Sequence, residues 1–299
     1  MNSIRPALVL LAAIVGLSGF GAAQPPRPPA KGVPEGVNAH RDLEYVEKGH
    51  ARNKLDLYLP KSETPLPLVV WVHGGAWQAG DKDNCPALFL TEKGYAVASV
   101  NYRLSQHAVF PAQIEDCKAA VRWLRANAKK YNLDADHFGA WGSSAGGHLV
   151  ALLGTSGGVK DLEGEAGNLD QSSRVQCVVD YFGPTDFIQM GGKHDKAGSP
   201  ESKLIGGAVP ENKAKAQRAN PVAYVDKDDP PFLIVHGDKD PAVPYTQSVL
   251  LEESLKKAGV EVELVTIKGG GHGGPDFFAP AKRKQVEEFL AKHLKKRVK

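Results

Sequence analysis

The sequence lacks the strong net charge and the basic, aromatic segments that are typical of nucleic-acid-binding proteins. Its 37 basic and 34 acidic residues leave a formal net charge of only +3, too small for the positive field of a nucleic-acid-binding protein. No stretch interleaves aromatic residues with Lys or Arg, as single-strand binders do. With 42% hydrophobic and 24% charged residues, the chain has the balance of an ordinary globular protein. We therefore expect no nucleic-acid partner.

A long apolar run is also missing. The most apolar segment, Ala7 to Val15, is shorter than the roughly 20 residues that cross a bilayer. It follows Arg5 and precedes the small residues Gly21 and Ala23, an order typical of a secretory signal peptide over residues 1–23. We expect a secreted or periplasmic protein with no stable membrane association after cleavage.

Cysteine is scarce, with three residues in a chain that we expect to mature in an oxidising compartment. Three cysteines can form at most one disulfide within the chain. Cys177 lies in an apolar run typical of a buried strand, so the pair that remains for a disulfide is Cys85 with Cys117. Three reduced, buried thiols are an equal alternative.

The remaining chain divides simply. Residues 24–40 are rich in proline and predict an extended linker. Beyond them the composition does not change again, no internal repeat is visible, and the length suits one domain, which we place at residues 41–299.

Within this domain, apolar runs alternate with segments of helical periodicity. Runs such as Leu66–Val72 and Phe232–His236 are typical of strands buried on both faces of a sheet. Segment Pro111–Tyr131 instead repeats apolar residues at intervals of three and four, as an amphipathic helix does. This alternation predicts an α/β fold with helices on both faces of a mainly parallel sheet.

Two segments match the G-x-S-x-G pattern, which places a serine nucleophile on a sharp turn from strand to helix. In Gly142–Gly146 the central residue, Ser144, follows a predicted strand and opens a predicted helix. In Gly154–Gly158 the central residue, Ser156, follows a helix instead. For Ser143 the pattern would place Trp141 and Ala145 at the two glycine positions. The context therefore predicts Ser144 as the nucleophile.

A second motif, His73-Gly74-Gly75-Ala76-Trp77, directly follows a predicted strand. Glycines here let backbone N–H groups point into a cleft, where they would hold the oxyanion of an acyl-transfer intermediate. The predicted donors are the N–H groups of Gly74, Gly75, Ala76 and Ala145. We interpret His73 as a structural residue held by backbone hydrogen bonds, and Trp77 as a flat apolar wall for the substrate.

A serine nucleophile needs a base and a carboxylate that orients this base. Of the two histidines beyond residue 236, His293 lies in a basic helix typical of a solvated face, whereas His272 lies among glycines between a strand and the last helix. His272 is therefore the predicted base. Asp238 and Asp240 both follow the strand that ends at His236, and spacing alone leaves both open as the acid.

The strings HGGAW, GSSAG, HGDKDPAVP and GHGG, in this order, resemble the hormone-sensitive-lipase-like and feruloyl-esterase-like branch of the α/β hydrolases. The resemblance extends from about Leu43 to Leu294 and implies the α/β-hydrolase fold and a serine carboxylesterase. The family pattern H-G-x-x-D-x-x-V-P implies Asp240 as the acid. Ala76 replaces the third glycine of the family's HGGG motif, which favours carbohydrate esterases or formamidase-like members over lipases.

The resemblance and the expected export suggest small-molecule or polysaccharide-linked esters as substrates, with short or aromatic acyl groups such as acetyl and feruloyl. The chemistry implied requires no cofactor and no metal. The polar stretch 183–230 is too long for a simple connection, and we interpret it as an insertion over the active site that sets specificity. Within it, His194 and Asp195 lack the spacing of metal ligands and are interpreted as solvated.

Two alternatives from other classes stay open. A peptidase of the prolyl-oligopeptidase type would also suit the strings GSSAGG and HGDKDPAVP, although such enzymes commonly have a large propeller domain before the catalytic one. A non-catalytic binding protein on a hydrolase scaffold usually lacks a member of the triad, and all three are present here.

Overall fold

The computed structural model describes residues 32–295, which form eight strands and seven α-helices. The strands are β1 Asn38–Glu44, β2 Lys54–Leu59, β3 Leu66–Val72, β4 Ala96–Val100, β5 Leu133–Ser143, β6 Cys177–Tyr181, β7 Phe232–Gly237 and β8 Val262–Ile267. They form one sheet in the order β1-β2-β4-β3-β5-β6-β7-β8. Strand β2 runs antiparallel to β1 and β4, and every other neighbouring pair is parallel. The predicted mainly parallel α/β fold is confirmed.

Helices cover both faces of this sheet. They are α1 Ala112–Ala126, α2 Ala145–Thr155, α3 Phe187–Met190, α4 Pro200–Ile205, α5 Lys213–Ala219, α6 Thr246–Ala258 and α7 Pro280–Leu294. One core packs α1, α2 and α6 against one face, and a second core packs α7 and the 3₁₀ helix Pro86–Lys93 against the other. The central strands are buried on both faces, which is why they read as continuous apolar runs. Within residues 32–295 no helix has the length and apolar character to span a membrane.

The structure shifts the start of the domain. Strand β1 begins at Asn38, inside the predicted linker 24–40, and Val33 and Val37 already pack against a core. The shift arises because β1 lies at the sheet edge and contains polar residues, and its register breaks between His40 and Leu43, so no regular alternation marks it. The predicted signal peptide lies outside the described residues.

The predicted disulfide between Cys85 and Cys117 is wrong. All three cysteines are free and buried. Cys85 packs in the core on one face of the sheet, and Cys117 packs in the core on the other. The sheet separates the two sulfur atoms, so the alternative of three buried thiols is the one that the structure shows.

The stretch 183–230 connects β6 to β7 and is more ordered than its composition indicates. It contains α3, α4 and α5 with short 3₁₀ turns between them. Phe187, Leu204 and Ile205 bury their side chains in the core that also holds α1 and α2. Its apolar residues therefore face inward, and its polar residues remain for the surface and the cleft.

Candidate active site

The four sequence motifs meet at one edge of the sheet. The loops that follow β3, β5, β7 and β8 contain HGGAW, Ser144, Asp240 and His272 respectively. Because these strands are parallel, their carboxyl ends lie at the same edge, which is where ligands bind in sheets of this type. A cleft of about 1290 Å³ opens here and is lined by residues from all four loops and from the insertion.

Ser144 lies on a strained turn between β5 and α2. Its backbone has φ 56° and ψ −122°, a conformation that non-glycine residues rarely adopt. The turn requires glycine on either side, because a Cβ at Gly146 would lie 2.1 Å from the Val72 carbonyl oxygen, and one at Gly142 would lie 2.3 Å from the Gly146 carbonyl oxygen. Ser156, by contrast, is fully buried, and its hydroxyl donates to the Leu152 carbonyl within the helix end.

The structure brings the three predicted triad residues together. The Ser144 Oγ lies 2.9 Å from His272 Nε2, and the His272 Nδ1 lies 2.7 Å from Asp240 Oδ2. The ring of His272 also packs edge-on against Phe182, with 4.7 Å between ring centroids. With Nδ1 donating to the carboxylate, Nε2 is free to accept the Ser144 proton, as a general base requires.

Asp240 is held by four donors. Its Oδ1 accepts the backbone N–H groups of Ala242 and Val243, and its Oδ2 accepts hydrogen bonds from His272 and from His236. Burial raises the pKa of this carboxyl, but the hydrogen bonds from His236, His272 and Val243 outweigh burial and hold the pKa well below its usual range. The acid therefore remains ionised beside the imidazole.

Asp238, the other candidate acid, has a different partner. Its carboxylate accepts the backbone N–H of Gly269 at 2.6 Å, which fixes the start of the loop that contains His272. The two carboxylates therefore have different contacts. Asp238 holds the loop that contains His272, and Asp240 contacts the imidazole of His272.

The residues that contain the predicted oxyanion donors line the same cleft as the nucleophile. Gly75, Ala76 and Trp77 all have positive φ values, 112°, 53° and 55°, so the chain turns tightly in front of Ser144. An added Cβ on Gly74 would lie 3.3 Å from the Ser144 Cβ, so this loop and the turn at Ser144 are in close contact. Within residues 32–295, no hydrogen bond uses the N–H of any predicted donor, a set that comprises Gly74, Gly75, Ala76 and Ala145.

His73 anchors this loop, as predicted. Its Nδ1 donates to the Gly74 carbonyl at 2.7 Å, and its Nε2 accepts from the Arg52 guanidinium at 3.1 Å. Burial is the main cause that lowers the pKa of His73 to about 4, so the ring is neutral at physiological pH. Tyr102 stacks on it with 4.5 Å between centroids and donates its hydroxyl to the His73 carbonyl. No sequence motif predicted the contacts of His73 with Arg52 and Tyr102, because these two residues lie in other parts of the chain.

Trp77 borders the cleft, but most of its ring packs in the core, and its role as a substrate wall stays a prediction. Only 2% of its surface is exposed, its indole N–H donates to His148 Nδ1 at 3.2 Å, and its ring packs edge-on against Phe187. His148 in turn donates from Nε2 to the Ala219 carbonyl in α5. Trp77 thus fixes the oxyanion loop to the core and to the insertion, because the positive φ at this residue turns its side chain inward.

Other side chains form the walls of the cleft. One wall is aromatic and apolar, and comprises Trp71, Pro86, Phe182 and Phe278. The insertion contributes a polar wall with Lys193, His194 and Glu201. The interpretation of His194 as solvated is wrong, because the residue is only 7% exposed and its Nδ1 lies 3.0 Å from the Glu201 carboxylate. No motif predicts this pair, since its partners are seven residues apart in a polar stretch.

Comparisons with known proteins identify the family of this chain. The family model BD-FAE matches residues 55–255. Esterase LipQ of Mycobacterium tuberculosis is 30% identical over 85% of this chain. This chain spans 61% of LipQ, and 53% and 51% of two further esterase-type relatives from the same bacterium.

Solved structures show the same likeness. A truncated carbohydrate esterase from gut microbiota is 37% identical with a TM-score of 0.82, covering 87% of this chain and 97% of that chain. A bifunctional GH43-CE protein of Bacteroides eggerthii is 41% identical with a TM-score of 0.80, covering 85% of this chain and 35% of that chain. The fold is therefore the α/β-hydrolase fold of these esterases, and the chain belongs to the BD-FAE family and contains an esterase domain.

Proposed function

We propose that this protein is a serine carboxylesterase that hydrolyses short-chain or aromatic acyl esters, such as acetyl or feruloyl esters of plant polysaccharide. The observation that carries the proposal is the hydrogen-bonded chain from Ser144 through His272 to Asp240, which lies beside four backbone N–H groups.

In the first half-reaction, Ser144 Oγ attacks the ester carbonyl carbon while His272 Nε2 takes its proton. The N–H groups of Gly75 or Ala76 and of Ala145 stabilise the negative charge on the carbonyl oxygen, a contribution whose loss typically costs about 10²–10³ in rate. His272 then gives its proton to the leaving alcohol oxygen, and an acyl-enzyme forms on Ser144. Water repeats the attack and releases the acid.

Two observations support the substrate class. The aromatic wall of Trp71, Phe182 and Phe278 suits a flat or small acyl group, and the polar wall suits an alcohol with hydrogen-bonding groups. Two of the structural neighbours are named as a carbohydrate esterase and a bifunctional GH43-CE protein. The composition of residues 1–23 supports action after export, which N-terminal sequencing of the mature protein from periplasmic and culture fractions tests.

Labelling with a fluorophosphonate tests the nucleophile. Ser144→Ala should abolish both labelling and the hydrolysis of p-nitrophenyl acetate, whereas the matched variant Ser156→Ala should retain both. A panel of p-nitrophenyl acetate, methyl ferulate, acetylated xylan and an aminoacyl-proline anilide then tests the class of bond. Cleavage of the anilide in preference to every ester would contradict the proposal and favour a peptidase.

A further inference from the structure

The cleft contains a second histidine–carboxylate pair outside the triad. His194 Nδ1 lies 3.0 Å from Glu201 Oε1, and the two residues are 7% and 4% exposed. Both line the cleft, His194 from the 3₁₀ turn after α3 and Glu201 from the first turn of α4. The second carboxylate oxygen, Glu201 Oε2, is buried and has no hydrogen-bond partner within residues 32–295.

Stability alone does not explain this pair. A buried polar pair is commonly no more stabilising than apolar side chains of similar volume, and a carboxylate oxygen without a partner adds a desolvation cost. A function in binding explains it, because a carboxylate that accepts from Nδ1 fixes the ring orientation of the histidine and leaves Nε2 as an acceptor. Within the described chain His194 Nε2 makes no hydrogen bond. It is also not one of the fully buried side-chain atoms that lack a hydrogen-bond partner.

The pair lies on the side of the cleft next to the triad acid. Lys193, the neighbour of His194, donates from its Nζ to the carbonyl of Pro241, which directly follows Asp240. Ala242 and Val243 of the same loop also line the cleft. Because His272 must deliver its proton to the leaving alcohol oxygen, the alcohol part of the ester lies near the imidazole and the loop that orients it.

We propose that His194, oriented by Glu201, is a specificity-determining residue that accepts a hydrogen bond from a free hydroxyl group of the alcohol part of the ester. The class of alcohol is polyhydroxylated, as in a sugar ring that has a free hydroxyl beside the acylated one. The inference rests on the proposed esterase function and deepens it, since it assigns the recognition of the alcohol to two residues of the insertion.

Three variants test the assignment. His194→Asn keeps an amide donor near the position of Nδ1 and removes the acceptor at Nε2. Glu201→Gln keeps the shape of the side chain and removes its charge. Glu211→Gln is the matched control, because Glu211 is an exposed glutamate of the same insertion that does not line the cleft.

The readout is kcat/KM for a monoacetylated methyl xyloside divided by kcat/KM for p-nitrophenyl acetate, whose leaving group has no free hydroxyl. We expect His194→Asn and Glu201→Gln to lower this ratio at least tenfold and Glu211→Gln to leave it within twofold. Equal losses on both substrates, or no loss, would show a merely structural pair and overturn the proposal. A third outcome is that the variants lower kcat/KM only for methyl ferulate relative to methyl cinnamate. Since these two esters differ in the acyl group, that result would place recognition on the acyl side and would also overturn the proposal.

The unmodified protein gives a test that does not depend on the folding of a variant. We expect the monoacetylated xyloside to be hydrolysed at least tenfold more efficiently than cyclohexyl acetate, which has a ring without hydroxyl groups. Comparable values for the two would refute the subsite while leaving the esterase intact. Absence of Ser144-dependent hydrolysis of p-nitrophenyl acetate would instead refute the esterase function, and the subsite with it.

Discussion

The two sides of the cleft are built in different ways. The catalytic side consists of short loops after parallel strands, and its geometry depends largely on the backbone: two backbone N–H donors on Asp240, a strained φ at Ser144, and a turn of three positive φ values in front of it. The insertion side consists of three short helices, and its one functional pair, His194 with Glu201, is made by side chains alone.

This difference shows why the two sides tolerate change differently. On the catalytic side a new Cβ at Gly146 would overlap the carbonyl oxygen of Val72, so the backbone itself excludes substitution. On the insertion side, replacing His194 or Glu201 alters a side-chain contact and leaves the helices in place. The catalytic geometry thus depends on the main chain, whereas the substrate choice that we propose for His194 and Glu201 would depend on side chains.

The largest effect is expected on the catalytic side, at the acid. Asp240→Asn should lower kcat by roughly 10⁴, because the amide would favour the wrong tautomer of His272. Asp238→Asn, the matched variant two positions away, should cost less than about tenfold, since its role is a hydrogen bond to Gly269 in a loop with other anchors. Steady-state kinetics on p-nitrophenyl acetate would compare them, and similar losses would mean that both carboxylates contact the imidazole in solution.

Acid should weaken the contact between the two sides. Burial lowers the pKa of His73 and of His148 to about 4, below the value of roughly 6.5 in an unfolded chain. Between pH 6.5 and 4 each of these histidines binds more protons in the unfolded chain, so its contribution lowers the free energy of unfolding as pH falls, by about 3 kcal/mol per histidine at pH 4. Burial raises the carboxyl pKa of Asp180 and of Asp229 to about 7, and these two groups oppose the fall over the same range. Urea titrations across this range measure the slope.

His148 is the more informative of the two, because it joins Trp77 of the oxyanion loop to the Ala219 carbonyl of the insertion. His148→Gln should remove the contribution of this histidine to the dependence of stability on pH, about 3 kcal/mol at pH 4. An unchanged slope in this variant would assign the acid sensitivity to other groups.

A smaller effect is expected from Trp77→Phe. The variant keeps an apolar ring but leaves His148 Nδ1 buried without its donor, which should lower the free energy of unfolding by about 1–3 kcal/mol. Because Trp77 is buried, kcat/KM for acetyl and butyryl esters should fall by the same factor. A changed preference between these two acyl groups would show that Trp77 contacts the acyl part of the substrate.

The smallest effect concerns acyl length and tests the insertion as a whole. Its apolar residues face the core, so it offers no apolar lid for a long chain. We expect kcat/KM for acetyl or feruloyl esters to exceed that for palmitoyl esters by at least about tenfold, roughly 1.4 kcal/mol in transition-state binding. Faster cleavage of emulsified long-chain triglyceride than of soluble acetate esters would contradict this expectation.

The sequence was most informative where the backbone dictates residue type. Gly142 and Gly146 are required by the turn at Ser144, so a five-residue pattern and its strand-to-helix context were enough to select that serine over Ser156. Spacing left Asp238 and Asp240 open because both are short carboxylates in one loop that accept backbone N–H groups. A family resemblance was needed to choose between them.

Other features depend on which way a side chain faces, and spacing does not encode this. Trp77 was expected to present a flat wall to the cleft and reaches it with only 2% of its surface exposed, whereas His194 was expected in solvent and lines the cleft. Cys85 and Cys117 were paired by elimination, although the sheet lies between them. Each case needed the packing of elements that are distant in the chain.

The place of the insertion in the connectivity has a consequence for how such enzymes diversify. The segment leaves the sheet at β6 and returns at β7, which are parallel neighbours spaced about 4.8 Å apart. Its two ends are therefore held by a rigid pair of strands whatever lies between them. Exchange of this single contiguous stretch, by recombination or by design, would leave the strands before the triad residues unaltered. The replacement must keep an aromatic contact for Trp77 and a carbonyl acceptor for His148, which Phe187 and Ala219 supply here.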